Sequence, residues 1–293
     1  MLDALPAAIV PVILIVAIGF AWSRSGRQLD GAGTTLLIAD VGTPCLIFST
    51  LAKMAIAPDA FASMALASAL AILGFVAIGA GALLLLRLRL RTYLPSLAFP
   101  NTGNLGLPVA LFAFGPKGLA FGVVFFAIAS IANYTLGQAI AAGAANWRSI
   151  LRTPILYATA LGVAASTYHL ALPRWLDNTV SLVGGMTVPL MLLMLGAALS
   201  KLKVSSLGRA LLLSALRIGM GAGVSLAVAR LLHLEGTARL VLVLQGSMPV
   251  AVYNYLFAQR WNNDPDEVAA LVLVSTLLSA VTIPCVLALL LSQ

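Results

Sequence analysis

Residues 97–108 read Leu97-Ala98-Phe99-Pro100-Asn101-Thr102-Gly103-Asn104-Leu105-Gly106-Leu107-Pro108. Two prolines eight residues apart bracket two glycines and three polar side chains inside an otherwise apolar stretch. Each proline removes a backbone donor and crowds the preceding turn, and each glycine weakens helix further. A continuous helix is not expected here. Non-helical backbone is tolerated at membrane depth only where protein or a water-filled cavity satisfies its polar groups.

The same device recurs more tersely as Gln245-Gly246-Ser247-Met248-Pro249, with Asn254 beyond it. Gly106-Leu107-Pro108-Val109-Ala110 parallels Ser247-Met248-Pro249-Val250-Ala251 at an offset of 141 residues. Gly79-Ala80-Gly81 parallels Gly221-Ala222-Gly223 at 142, and Pro44 parallels Pro189 at 145. Offsets this similar predict a duplicated unit, with residues 1–146 as one half and 147–293 as the other. Two related halves, each with a broken apolar segment in a corresponding place, form the sequence pattern of a secondary transporter.

Hydrophobic residues make up 61% of the 293, charged residues 9%, and mean hydropathy is +1.05. A soluble domain carries roughly 25% charged residues, so the solvent of this chain is expected to be lipid. The net charge of +8 sits in short loops without an aromatic-basic patch, so no nucleic-acid partner is expected. Cys45 and Cys285 each follow a proline in an apolar segment and read as packing groups.

Stretches of spanning length, about 20 residues, fall near 5–22, 34–54, 61–86, 93–113, 118–141, 154–171, 178–199, 209–232, 237–259 and 267–290. The expected fold is an all-α polytopic membrane protein of about ten helices in a five-plus-five repeat, with spans four and nine broken and crossing. An odd number of spans per half inverts the second half in the membrane. One face collects Arg24, Arg27, Arg87, Arg89, Arg91, Arg148, Arg152, Lys201, Lys203, Arg209 and Arg260, and the other only Lys53, Lys117, Arg174, Arg230 and Arg239. The positive-inside rule makes the richer face cytoplasmic and puts both termini outside. Asp3 before the first span, with arginines after it, agrees with a retained span and not a cleaved signal. Trp22, Trp147, Trp175 and Trp261 fall at expected interfaces, and His169 and His233 at external helix ends.

If both breaks lie near the midplane, half-helix N-termini offer N–H groups and positive dipole ends to an anion. Amides and hydroxyls would supply the remaining contacts. The binding candidates are Asn101, Thr102, Asn104, Gln245, Ser247 and Asn254, with the backbone beside Pro108 and Pro249. Asp40, about 9 Å into span two, and Arg217, about 12 Å into span eight, are candidates for coupling or gating, counting 1.5 Å per residue. Asn133, Gln138, Tyr253 and Tyr255 read as inter-helix hydrogen-bonding residues with access to a cavity.

The stretch Phe99 to Pro108, the run Gln245 to Pro249 followed by Phe257-Ala258-Gln259-Arg260-Trp261-Asn262 and Asp264-Pro265-Asp266, and Thr282-Ile283-Pro284 together resemble the auxin efflux carrier family, which includes the plant PIN-type carriers. The resemblance covers the whole chain. It implies a five-plus-five inverted repeat related to bile-acid and sodium–proton transporter folds, crossed helices four and nine, and alternating access for small organic anions such as malonate, malate or other carboxylates. By that resemblance Asn101, Pro108 and Pro249 match the crossover residues. The chain departs from long plant members in having only about residues 146–153 between spans five and six. It also has no charged residue over 61–86, where plant members carry a carboxylate and a lysine, so auxin itself is not implied.

No phosphate-binding loop, zinc-ligand cluster or nucleophile elbow is present, and no enzymatic role is expected. The reading is a transporter of small mono- or dicarboxylates in a bacterial inner membrane. No cofactor is expected. Coupling to H+ or Na+, and assembly as a homodimer, remain open from sequence. The alternatives are a cation–proton antiporter using Asp40 and a ligand sensor that does not translocate.

Overall fold

The computed structural model describes residues 4–27, 29, 32–53, 58–143, 153–170, 172–202 and 206–291. Asp3, Trp147, Arg148, Arg152 and Lys203, with most of the loop between the two halves, lie outside the described residues. Among the described residues the chain is helical throughout, with an isolated antiparallel bridge between Pro100 and Val250 and no strand.

Helix α1 is Ala4–Arg24. Helix α2 covers 32–53 and contains a π-turn at Ile38–Gly42, beyond which Pro44 sits in the first turn of its second part. Helix α3 is Pro58–Leu85 and α4 is Leu90–Ala98. The helical run Thr102–Ala142 changes direction at Gly115, whose φ of 64° and ψ of −161° suit only a residue without Cβ. Helix α5 therefore covers 102–114 and α6 covers 116–142. Helix α7 is Pro154–Thr167, α8 is Arg174–Leu199 and α9 is Leu207–Leu231. Helices α10 and α11 are Gly236–Gly246 and Val252–Trp261, and α12 is Pro265–Leu291.

Among the described residues six helical stretches are long and apolar enough to cross a membrane: Gly33–Lys53, Asp59–Leu85, Thr102–Ala142, Arg174–Leu199, Leu207–Leu231 and Pro265–Leu290. Ile9–Arg24 and Pro154–Thr167 are shorter apolar helices. Leu84, Leu161, Leu182, Leu277 and Val281 are each at least 61% exposed. Such a surface requires hydrocarbon around it, and the protein is a multi-pass membrane protein resident in a bilayer.

The helices pack as two groups. One comprises α1, α2, α7 and α8; the other comprises α3–α6 and α9–α12, and the groups meet where the run 102–132 touches α1, α2, α7 and α8 and where α12 touches α1. Small residues permit the closest approaches: Gly19 and Gly196 bring α1 against α8, and Gly162 and Gly184 lie against the backbone of α2. In lipid such van der Waals contact replaces hydrophobic collapse as the packing force.

Polar ties fasten one end of the larger group. Arg89 meets Asp264 at 3.1 Å, Thr92 donates to the same carboxylate, and Arg209 pairs with Glu267 at 3.2 Å. Arg209 also donates to the Tyr93 hydroxyl at 3.1 Å, and Asn263 Nδ2 donates to Ala141 O at 2.8 Å. The short loop between α11 and α12 thereby joins the ends of α4 and α6, and Arg209 ties α9 to α4 and α12. At the other end of the smaller group Lys53 bonds both Asp177 and Ser181, at 3.0 and 2.8 Å. His169, after α7, and His233, after α9, are exposed residues with positive φ at helix ends.

Candidate functional site at the helix crossover

Both expected breaks exist. Helix α4 stops at Ala98 and α5 starts at Thr102; α10 stops at Gly246 and α11 starts at Val252. The first break is shorter than the sequence suggests, because Pro108 lies in the first α-helical turn after a π-turn at Thr102–Gly106. The proline is accommodated inside the helical run because the π-turn before it has already shifted the hydrogen-bond register. Pro100, and not Pro108, is therefore the proline that lies with Pro249 in the paired breaks.

The two unwound segments satisfy each other. Asn101 N donates to Pro249 O at 2.7 Å and Ala251 N to Phe99 O at 3.4 Å. Asn254 Nδ2 also donates to Phe99 O, at 3.1 Å, and Val250 N donates to Ser275 Oγ, at 3.0 Å. This ladder crosses the chain at one point and leaves four helix ends around it.

Arg217 takes the two C-terminal ends. Its side chain is 0% exposed, and its guanidinium donates to Leu97 O, Gly246 O and Met248 O while lying 4.5 Å over the Phe75 ring. Among the described residues no carboxylate pairs with it, so backbone carbonyls and a ring face hold the charge. A cation is favourable there because helix C-termini carry partial negative charge. Gly221 makes the approach feasible, since a Cβ at that position would strike the Gly246 carbonyl.

The two N-terminal ends border a cavity of about 400 Å³. Asn101, Thr102, Gly103 and Asn104 enter its wall from the first break, and Ala251, Val252, Tyr253, Tyr255 and Gln259 from the second. Phe126, Ser130, Asn133 and Tyr134 of α6 line it, as do Thr35, Ile38, Ala39 and Thr43 of α2 and Met191, Met194, Ala198 and Lys201 of α8. Among the described residues the lining holds one lysine and no carboxylate. Asn101 Nδ2 and Asn133 Oδ1 are buried polar atoms on this wall without a hydrogen-bond partner. Buried polar groups are ordinarily paired; Asn133 Oδ1 lies against Gly137 of its own helix, where a Cβ would meet it.

Of the eight binding candidates, Asn101, Thr102 and Asn104 lie on the cavity wall. Gln245, Ser247, Asn254, Pro108 and Pro249 do not. Gln245 is fully buried and wedged where a Cβ on Gly106 or Gly122 would meet its amide, and Asn254 fixes the break itself. Asp40 is exposed on the π-turn of α2, next to the lining residue Ala39 but not itself in the lining. The structure thus does not bring Asp40 to Arg217. Lys201, which the sequence assigns only to a basic loop, is the lining cation.

A bundle of apolar helices with two interrupted helices meeting beside a cavity is an architecture that membrane transporters use. Comparison with known proteins agrees. The family model described as membrane transport protein matches residues 5–145 and 141–287, and the chain belongs to that family, the auxin efflux carriers. An uncharacterized transporter of Methanothermobacter thermautotrophicus is 29% identical over 64% of this chain and 64% of its own length. An uncharacterized transporter of Methanocaldococcus jannaschii is 27% identical over 62% of this chain and 63% of its own. Auxin efflux carrier component 8 of Arabidopsis thaliana is 25% identical over 46% of this chain and 39% of its own. The chain thus spans less than two thirds of the length of these relatives.

Proposed function

We propose that the protein carries small organic anions with a single carboxylate and an apolar body by alternating access around the crossover. Counting α4 with α5 and α10 with α11 as broken passages gives ten passages, five in each half, with the second half inverted. The observation that carries the reading is the meeting of two half-helix N-termini with Asn101 and Asn104 at a cavity that Lys201 also lines. Helix N-termini attract anions, and amides orient a carboxylate without fixing its identity. Phe99, Phe126, Tyr134, Tyr253, Met191 and Met194 supply the surface for an apolar body.

Thr35, Lys201 and Gln259 lie toward the face that carries the basic loops, which supports a cavity open to the cytoplasm in this state. The group α1, α2, α7 and α8 would act as frame, and the group carrying the crossover would rock against it. Membership in a family of transporters supports a carrier over a sensor. An antiporter would need an exchanging carboxylate, and Asp40 stands outside the cavity lining.

The test is flux of a panel of labelled mono- and dicarboxylates in proteoliposomes, with and without proton, sodium and electrical gradients. Monocarboxylate flux lost in Asn101→Ala is the expected result. Gradient-driven sodium–proton exchange without carboxylate flux would overturn it.

A further inference from the structure

Arg217 is a buried charge that the transport reading does not by itself require. It donates to the C-terminal carbonyls of both α4 and α10, at Leu97, Gly246 and Met248, so it belongs to the same body as the crossover. Each helix C-terminus carries roughly −0.5 of a charge and each N-terminus roughly +0.5. The two C-termini together thus offset about one positive charge, which Arg217 supplies. What this body presents to the cavity is the pair of N-termini at Thr102 and Val252, worth about one positive charge; Lys201, which also lines the cavity, stands just beyond α8 in the other group and does not move with it. One carboxylate balances the pair of N-termini. The other charges of this body, among them the pairs Arg89–Asp264 and Arg209–Glu267 and the exposed Arg87, Arg91, Lys117, Arg230 and Arg260, stand at helix ends outside the apolar middle.

We propose that Arg217 sets the crossover at one net positive charge, so that the protein loaded with a monoanion reorients without moving charge and the empty protein carries the charge through the membrane field. This inference rests on the transport reading above and adds to it which limb of the cycle the voltage acts on and which substrate valence the site matches. A dianion leaves the loaded crossover with one negative charge, and its movement then becomes voltage-dependent.

The test compares two flux modes of one labelled monocarboxylate in proteoliposomes clamped with potassium and valinomycin. Net efflux uses the empty limb; counterflow at saturating substrate on both sides uses only the loaded limb. Interior-negative potential should speed wild-type net efflux about threefold or more over 100 mV, with counterflow unchanged. Counterflow as steep in voltage as net efflux overturns the proposal. Arg217→Lys should keep the wild-type pattern, whereas Arg217→Gln makes the empty crossover neutral and transfers the voltage dependence to counterflow. An Arg217→Gln protein with unaltered voltage dependence in both modes also overturns it. The wild-type comparison decides the matter even if that variant does not fold. Absence of all carboxylate flux overturns the transport reading and this inference together; flux with the wrong voltage pattern overturns this inference alone.

Discussion

Asn101 does two jobs with one residue. Its backbone N–H closes the ladder to Pro249, and its side-chain Nδ2, in a residue lining the cavity, has no hydrogen-bond partner. Asn101→Ala keeps the first and removes the second. Loss of a hydrogen bond to a charged ligand costs about 1.5–3 kcal/mol, so carboxylate flux at subsaturating substrate should fall about tenfold or more while the thermal melting midpoint stays near wild type. Asn254→Leu is the converse. It removes the donor to Phe99 O inside the break, and about 1 kcal/mol of stability should go with it, read as a lowered melting midpoint. The residues separate by how much context each role needs. Asn101 and Asn104 were legible because an amide beside a proline in an apolar run has few uses. Gln245 looks the same in sequence, yet it faces the glycine surfaces of α5 and α6, a fact of packing that no local pattern carries. Lys201 was hidden for the opposite reason, since a lysine in a basic loop reads as topology.

At the scale of elements, the two breaks followed directly from proline and glycine placement, and their meeting followed from their matching positions. The three π-turns did not. Ile38–Gly42, Thr102–Gly106 and Asn133–Gly137 each insert an extra residue into a turn, and each contributes side chains to the cavity wall. Such insertions often mark functional positions, but a one-residue insertion leaves the apolar pattern of an all-round hydrophobic helix unchanged. The repeated Gly-Ala-Gly illustrates how the structure divides a motif. A Cβ on Gly221 would strike the Gly246 carbonyl, whereas one on Gly223 would meet open space. Gly221→Ala should cost about 1–3 kcal/mol by overpacking and lower both melting midpoint and yield. Gly223→Ala should be close to neutral, and equal effects from the two would contradict the close approach of α9 to α10.

For the molecule as a whole, the clustering of basic residues on one face is the evidence for orientation, and it can be read chemically. In a background with Cys45 and Cys285 replaced by serine, Lys201→Cys should react with an impermeant maleimide from the cytoplasmic side only. Lys117→Cys, near the turn at Gly115, should react from the outside only. The reverse pattern would invert the topology and with it the assignment of the open cavity to the cytoplasm. The fold class was legible because hydropathy alone forces helices in lipid. The division into two groups was not, because it depends on which glycines meet which backbones, as at Gly19 and Gly196.

A chain of aromatic rings runs out from the cavity wall. Tyr134 packs edge-on to Tyr253 at 5.8 Å, Tyr253 to Phe257 at 5.9 Å, and Phe257 to Trp261 at 5.4 Å, with the Arg260 guanidinium 5.1 Å over the indole. The protein thus carries a built-in optical reporter. With Trp22, Trp147 and Trp175 replaced by phenylalanine, the emission of Trp261 should shift when a ligand seats against Tyr253, giving a titration of occupancy without label, flux or membrane potential.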